Sequence, residues 1–221
     1  MRSREILLDV NGHAISPSEI NNKINDFGDS YNNTVEEIIK NTKILDNDGE
    51  IFTKYAYRIL SNFGMTRRGP FQKNPIERLY DCWGAVGADL IEINKSVLKS
   101  GLSRDRYLLE LNVQEREGLI AKIWLLTKKL LPLTMGKTSY GLVGASKILF
   151  SVLPEIVLPI DNNEWLHVFK TVDLGDVINY MISDIQNWEA MTGFDFNKLD
   201  HSNRLTTLPS VYNVMAMYAR P

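Results

Sequence analysis

The sequence predicts an all-α fold over residues 1–221, mostly helical, with one small β-hairpin at the N-terminus. Apolar residues recur at helical spacing along most of the chain, no low-complexity tract divides it, and 44% of its 221 residues are hydrophobic. That composition suits one domain with a sizeable core. A hairpin, or simply an extended N-terminal arm, is predicted over residues 6–15, where Asn11-Gly12 separates two short apolar runs.

Capping residues and prolines mark the predicted helices. Ser16-Pro17 opens the first, and Thr34 caps a second that runs to about residue 45. A long helix that begins at residue 113 is expected to stop at Pro132, because proline interrupts a helix interior. The other helices are predicted at residues 51–63, 75–98, 103–111, 173–188 and 209–218.

Charge and cysteine content exclude several classes of protein. The formal net charge is −2, so any contact with nucleic acid must come from a local patch. Cys82 is the single cysteine, which excludes an intramolecular disulfide and suits a reducing, cytoplasmic location. The apolar run at residues 6–10 is too short for a signal peptide core or a membrane span, so no membrane partner is expected.

The segment at about residues 131–169 is the most informative. Gly141 and Gly144 bracket an apolar turn between the helix ending near Pro132 and a helix expected to begin near Ala145. Glycines permit positive φ and a close approach of the backbone to a ligand. The free N–H groups at the start of the new helix are suited to a phosphate oxygen.

A carboxylate follows this turn. Pro159 leads into Ile160-Asp161, and the apolar run at residues 156–160 is expected to be buried, so that Asp161 lies at the rim of a cleft. Asp161 also suits the N-cap of the next helix, and the two roles are compatible.

These residues resemble the helix-hairpin-helix DNA glycosylases. Gly141, Val143 and Gly144 match the family's hairpin, and Pro159-Ile160-Asp161 matches its Pro-apolar-Asp signature, within under a fifth of the chain. The resemblance implies two helical lobes that flank a cleft and double-stranded DNA with a modified base flipped into it. It also implies that Asp161 stabilises positive charge on the deoxyribose as the base leaves, with no metal or organic cofactor.

The sequence departs from the family's pattern in three ways. The hairpin has Gly-x-x-Gly instead of Gly-x-Gly, and the interval from Gly144 to Asp161 is 161 − 144 = 17 residues, a few fewer than expected. The position of the nucleophilic lysine of bifunctional members is Ser146, and Lys147 is one residue further, about 100° around a helix. We therefore predict a monofunctional enzyme that leaves an abasic site, with a lyase that uses Lys147 as the alternative.

Other residues are assigned to the same predicted site. Tyr140, Asn163 and Trp165 are expected to line the base pocket. Phe71 is either a wedge for the base stack or part of a solvated loop. DNA contacts are predicted for Gly141, Val143, Gly144, Ala145, Ser146, Lys137, Arg67, Arg68 and Lys73.

Gly136-Lys137-Thr138 resembles the end of a phosphate-binding P-loop. That motif also needs a glycine at position 131, which is Leu, and a preceding strand, which is not predicted. A nucleotide cofactor is therefore not expected.

Three alternatives stay open. A non-catalytic helix-hairpin-helix module would bind DNA within a larger assembly, and a helical protein–protein adaptor would have no DNA role. Within the glycosylase family, antiviral defence against phages with hypermodified cytosines is an alternative to DNA repair.

Overall fold

A computed structural model describes residues 5–27, 29–41, 45, 47–67, 69–136, 140–199 and 207–221. Within these ranges the chain is mostly helical and forms no β-strand, which confirms the predicted all-α class. The predicted N-terminal hairpin is present only as a turn with one antiparallel bridge between Leu8 and Ala14. Gly12 adopts a φ of +82° at this turn, as the Asn-Gly pair predicts.

The described residues contain nine α-helices. They are α1 (Pro17–Asp26), α2 (Asp29–Asn41), α3 (Glu50–Asn62), α4 (Pro75–Lys99), α5 (Tyr107–Glu110), α6 (Val113–Thr134), α7 (Leu142–Phe150), α8 (Leu174–Thr192) and α9 (Leu208–Tyr218). Three short 3₁₀ turns lie at Met65–Arg67, Gly69–Phe71 and Phe196–Lys198, and a π-helical segment at Glu164–Phe169.

Several helices begin where their local capping residues predict. Ser16 caps α1 by accepting a hydrogen bond from the backbone N–H of Glu19 at 3.2 Å. Asp173 caps α8 by accepting from the N–H of Gly175 at 2.7 Å and from the next N–H. Pro75 lies in the first turn of α4, where its missing N–H removes no helical bond.

Two predicted helix boundaries are wrong. Thr34 is not a cap but lies buried inside α2, where its hydroxyl accepts a hydrogen bond from the side-chain amide of Asn62 at 2.6 Å. Pro132 does not end α6, which continues to Thr134. The ring of Pro132 is exposed, and the helix continues past it although the Lys128 carbonyl lacks the N–H that any other residue at 132 would offer.

Helix α7 lies at the centre of the fold, packed against α6 and α3. Apart from Val143, every residue of α7 is buried. Gly144 allows the close approach, because a Cβ atom there would lie 2.9 Å from the Cβ of Thr134. α7 also begins earlier than predicted, at Leu142, so Gly144 is in its first turn and Gly141 is its N-cap, with a φ of +94°.

We expect Gly141→Ala to lower the free energy of unfolding by about 3 kcal/mol, measured by urea denaturation. Its positive φ disfavours a side chain, and the new Cβ would lie 2.8 Å from the carbonyl oxygen of Leu131. Gly193→Ala is the matched control, because Gly193 has a φ of +67° but no heavy atom within 4 Å of its Cβ position. It should cost only about 1 kcal/mol. Equal losses for the two variants would contradict the close approach at Gly141.

Candidate functional site

A buried segment carries Asp161 to the surface. Residues 151–160 are all buried, as the apolar run predicts, whereas the side chain of Asp161 is 33% exposed. Its Oδ1 atom accepts hydrogen bonds from the backbone N–H groups of Asn163 at 2.9 Å and Glu164 at 3.2 Å. Asp161 therefore caps the turn that follows, as predicted, while part of its carboxylate stays accessible.

Glu164 completes this cap from the other direction. Its Oε2 atom accepts a hydrogen bond from the backbone N–H of Asp161 at 2.6 Å. Asp161 and Glu164 thus form a reciprocal capping box at the start of the π-helical segment. Each residue binds the backbone of the other, which fixes the orientation of Asp161 without help from flexible loops.

Arg220, which follows α9, contacts both carboxylates. Its Nη2 atom lies 2.6 Å from Oδ2 of Asp161 and 3.5 Å from Oε2 of Glu164. The Arg220 side chain is 23% exposed, whereas Glu164 is fully buried. An ion pair thereby links the segment after α9 to the Asp161 turn.

Lys147 lies beneath the same turn. It is 3% exposed, and its Nζ atom donates a hydrogen bond to the carbonyl oxygen of Ile160 at 3.0 Å. The Nζ atom also lies 5.0 Å from the centre of the Phe63 ring. The structure therefore places the amine of Lys147, which the one-residue shift made a doubtful nucleophile, in the interior against the residue immediately before Asp161.

Burial shifts the pKa values of Lys147 and Glu164. Burial lowers the pKa of Lys147 to about 8, although the charges of Glu164 and Asp161 act in the opposite direction. Burial and the nearby Asp161 raise the pKa of Glu164 to about 8, against the effect of Arg220 and Lys147. The two shifts have the same main cause, because burial disfavours the charged form of each side chain.

An aromatic pair flanks Asp161. The rings of Tyr140 and Trp165 lie 6.2 Å apart at an angle of 43°, and Tyr140 is 41% exposed. The indole N–H of Trp165 donates to the side chain of Asn162 at 3.1 Å. Asn163, the third residue assigned to the base pocket, is exposed on the same turn. The structure therefore places Asn163 and Trp165 on the turn that follows Asp161, with the ring of Tyr140 near that of Trp165.

Most residues of the glycine turn, which were predicted to contact DNA, are buried. Gly141, Gly144, Ala145 and Ser146 are buried, and only Val143 in this group is partly exposed. The Gly141 carbonyl accepts a hydrogen bond from the Thr134 hydroxyl at 2.7 Å, and the Ser146 hydroxyl donates to the carbonyls of Val143 and Ile160. The expectation of an open glycine turn is corrected, because helix packing uses these small residues.

Two of the remaining predicted contacts lie shortly before α4. Arg67 and Lys73 are exposed there. Phe71 is fully buried, and a Cβ atom on Gly144 would lie 3.5 Å from its ring. Both roles considered for Phe71, a wedge for the base stack and part of a solvated loop, are therefore wrong. Arg68 and Lys137 lie outside the described residues.

Two residues of the site, Glu164 and Arg220, were not predicted from the sequence. The Asp-x-x-Glu spacing from 161 to 164 is the local signal that identifies a reciprocal cap, and it could have indicated Glu164. Arg220 has no such signal, because its contact with Asp161 joins distant parts of the chain.

No helix among the described residues is long and apolar enough to cross a membrane.

Comparison with known proteins gives no family: no protein-family model matches the chain, and no match is found among curated proteins or solved structures.

The raised pKa of Glu164 predicts a pH dependence of stability. Between pH 4.5 and about 8, Glu164 keeps a proton in the folded state that the unfolded chain releases, so rising pH lowers the free energy of unfolding. Lys147 acts in the opposite direction near pH 8, because burial lowers its pKa and the folded state then gives up its proton before the unfolded chain does. Glu164→Gln should therefore remove part of the decline, measured by chemical denaturation from pH 5 to pH 8.

Glu19→Gln is the control for this measurement, because Glu19 is 54% exposed and also pairs with a lysine. Its stability curve should run parallel to that of the wild type. A parallel curve for Glu164→Gln would instead show that the buried carboxyl does not titrate in this range.

Proposed function

We propose that this protein is a helix-hairpin-helix DNA glycosylase with two lobes around the Asp161 turn. It flips a modified base out of double-stranded DNA and cleaves its N-glycosidic bond. The observation that carries the proposal is the position of Asp161: a partly exposed carboxylate, held by backbone N–H groups, on the turn that carries the half-buried Trp165 and its partner ring, the exposed Tyr140.

The proposed chemistry needs only a carboxylate and water. The bond between C1′ of the deoxyribose and the base nitrogen breaks, and its electron pair leaves with the base. Asp161 stabilises the positive charge that develops on the sugar, and a water molecule adds to C1′ and gives its proton to the carboxylate. The leaving base takes a proton from solvent, and the product is an abasic site.

The aromatic pair is assigned to the extruded base. Trp165 and Tyr140 offer planar faces next to Asp161, and stacking on such faces holds a base without regard to its hydrogen-bond pattern. Arg67 and Lys73 supply local positive charge for the phosphates in a chain whose net charge is −2.

The proposal is tested by Asp161→Asn. An Asn side chain can still accept the two backbone N–H bonds, so the turn is kept while the charge is lost. Incubation with a panel of modified DNAs, hypermodified phage cytosines included, should show base release slowed about 10²–10³-fold with DNA affinity retained.

Asp173→Asn is the matched control, since Asp173 caps α8 in the same way and has no place in the proposed site. It should leave base release unchanged. DNA affinity without base release from any member of the panel favours the non-catalytic module. Absence of salt-dependent DNA binding favours the protein–protein adaptor.

A monofunctional glycosylase should form no covalent intermediate with DNA. A lyase needs an amine that can reach C1′, whereas the Lys147 amine is buried and bound to the Ile160 carbonyl. We therefore expect that borohydride treatment during the reaction traps no covalent protein–DNA complex, while alkali cleaves the abasic product. A trapped complex that disappears in Lys147→Gln would establish the lyase alternative.

A further inference from the structure

Both oxygens of the Asp161 carboxylate are already engaged within the protein. Oδ1 accepts hydrogen bonds from the backbone N–H groups of Asn163 and Glu164, and Oδ2 lies 2.6 Å from Nη2 of Arg220. A guanidinium at this distance offsets the negative charge that the proposed reaction would use. Asp161 is therefore poorly prepared to stabilise a cationic sugar while Arg220 stays in this position.

The guanidinium of Arg220, in turn, is incompletely bound. Among the described residues, neither its Nε nor its Nη2 atom has a hydrogen-bond partner, although both atoms are buried. Nη2 lies close to Asp161 but without the alignment of a hydrogen bond. Glu164 supplies little countercharge, because its raised pKa of about 8 keeps it mostly protonated near neutral pH. Arg220 thus holds Asp161 by charge alone.

The two unpartnered nitrogens lie on one edge of the guanidinium. This edge can bind a phosphate through two parallel N–H bonds, a geometry that Asp161 does not offer here. The Arg220 side chain is 23% exposed and follows α9 outside any helix, and an ion pair that is partly exposed contributes little to stability. A DNA phosphate therefore competes well for Arg220.

The proposed position of the DNA brings such a phosphate close. Asp161 faces C1′ of the target deoxyribose in the proposed reaction, and the phosphates on either side of that sugar belong to the same stretch of backbone. A side chain that contacts Asp161 is therefore within reach of one of these phosphates.

We infer that Arg220 binds the DNA phosphodiester next to the extruded nucleotide, and that it exchanges Asp161 for this phosphate when DNA binds. The inference rests on the proposed function, because it takes Asp161 as the group that faces the deoxyribose. Without DNA, the ion pair holds the Asp161 turn in place. With DNA, the phosphate takes over the guanidinium, and the charge of Asp161 becomes available to the reaction.

The exchange is tested by neutralising one group on the protein and one on the DNA. The probe is a duplex with a central tetrahydrofuran abasic-site analogue, in which the phosphate on its 5′ or its 3′ side is replaced by a neutral methylphosphonate. We expect Arg220→Gln to weaken binding of the fully charged duplex about five- to tenfold and to lower the salt slope by about one.

The two changes should not add. One of the two methylphosphonates should weaken wild-type binding by a similar factor, and it should weaken Arg220→Gln by less than about twofold, because the contact is already lost. Additive losses for both methylphosphonates would overturn the inference, since Arg220 would then contact neither phosphate.

Arg106→Gln is the matched control. Arg106 is 25% exposed and its Nη1 atom lies 2.6 Å from Glu189, an ion pair of similar length and burial that has no place in the proposed site. This variant should bind every duplex as the wild type does. Arg220→Lys guards against simple loss of the fold, because its ammonium group keeps the charge and should keep the methylphosphonate effect.

A purely structural role for Arg220 predicts a different result. If Arg220 only holds the Asp161 turn, Arg220→Gln slows base release at saturating DNA at least about tenfold, with DNA affinity and the methylphosphonate effect unchanged, and the inference is overturned. Exchange predicts instead that the DNA concentration for half-maximal release rises about five- to tenfold, while the maximal rate falls less than about threefold.

Failure of the proposed function gives a separate result. The wild type then releases no base from any modified DNA, whereas failure of this inference alone leaves wild-type base release intact and removes only the coupling between Arg220 and the phosphate.

Discussion

The burial of α7 on nearly every side is the constraint on which the rest of the structure depends. A helix of nine residues can be enclosed by its neighbours only if small side chains let their backbones come near, and Gly141, Gly144, Ala145 and Ser146 supply these. Close packing places the Ser146 hydroxyl and the Lys147 amine against one carbonyl group, that of Ile160. The position of Asp161, the next residue, therefore follows from the core.

This arrangement has an electrostatic cost that the Asp161 turn offsets locally. Lys147 cannot reach water from inside the fold, and an isolated ammonium group there would be strongly unfavourable. The Ile160 carbonyl and the Phe63 ring each provide partial compensation. The stability of the core and the electrostatics of the candidate site are thus coupled, so a substitution in one should affect the other.

Sequence reasoning succeeded where a structural choice is made within a few residues. Ser16, Pro75 and Asp173 mark helix starts through contacts with their own first turn, and all three starts were predicted. Thr34 has the same chemistry, but its hydroxyl pairs with Asn62 of another helix, so local pattern gave the wrong boundary. The prediction for Phe71 was wrong for the same reason, since its ring is buried and lies near Gly144, far along the chain.

The residues of the candidate site likewise fall into those that local sequence predicts and those that it does not. Asp161, Tyr140, Asn163 and Trp165 were predicted from neighbouring residues, and the structure brings them together. The burial of Lys147 and the arrival of Arg220 depend on how distant helices pack, which spacing along one segment does not encode.

The ion pair between Arg220 and Asp161 has a practical consequence for preparing the protein. Arg220 lies just beyond the end of α9, and its guanidinium contacts the candidate carboxylate. A charged label or inserted residue beside Arg220 would therefore alter the electric field at the Asp161 turn, so such additions belong elsewhere on the chain.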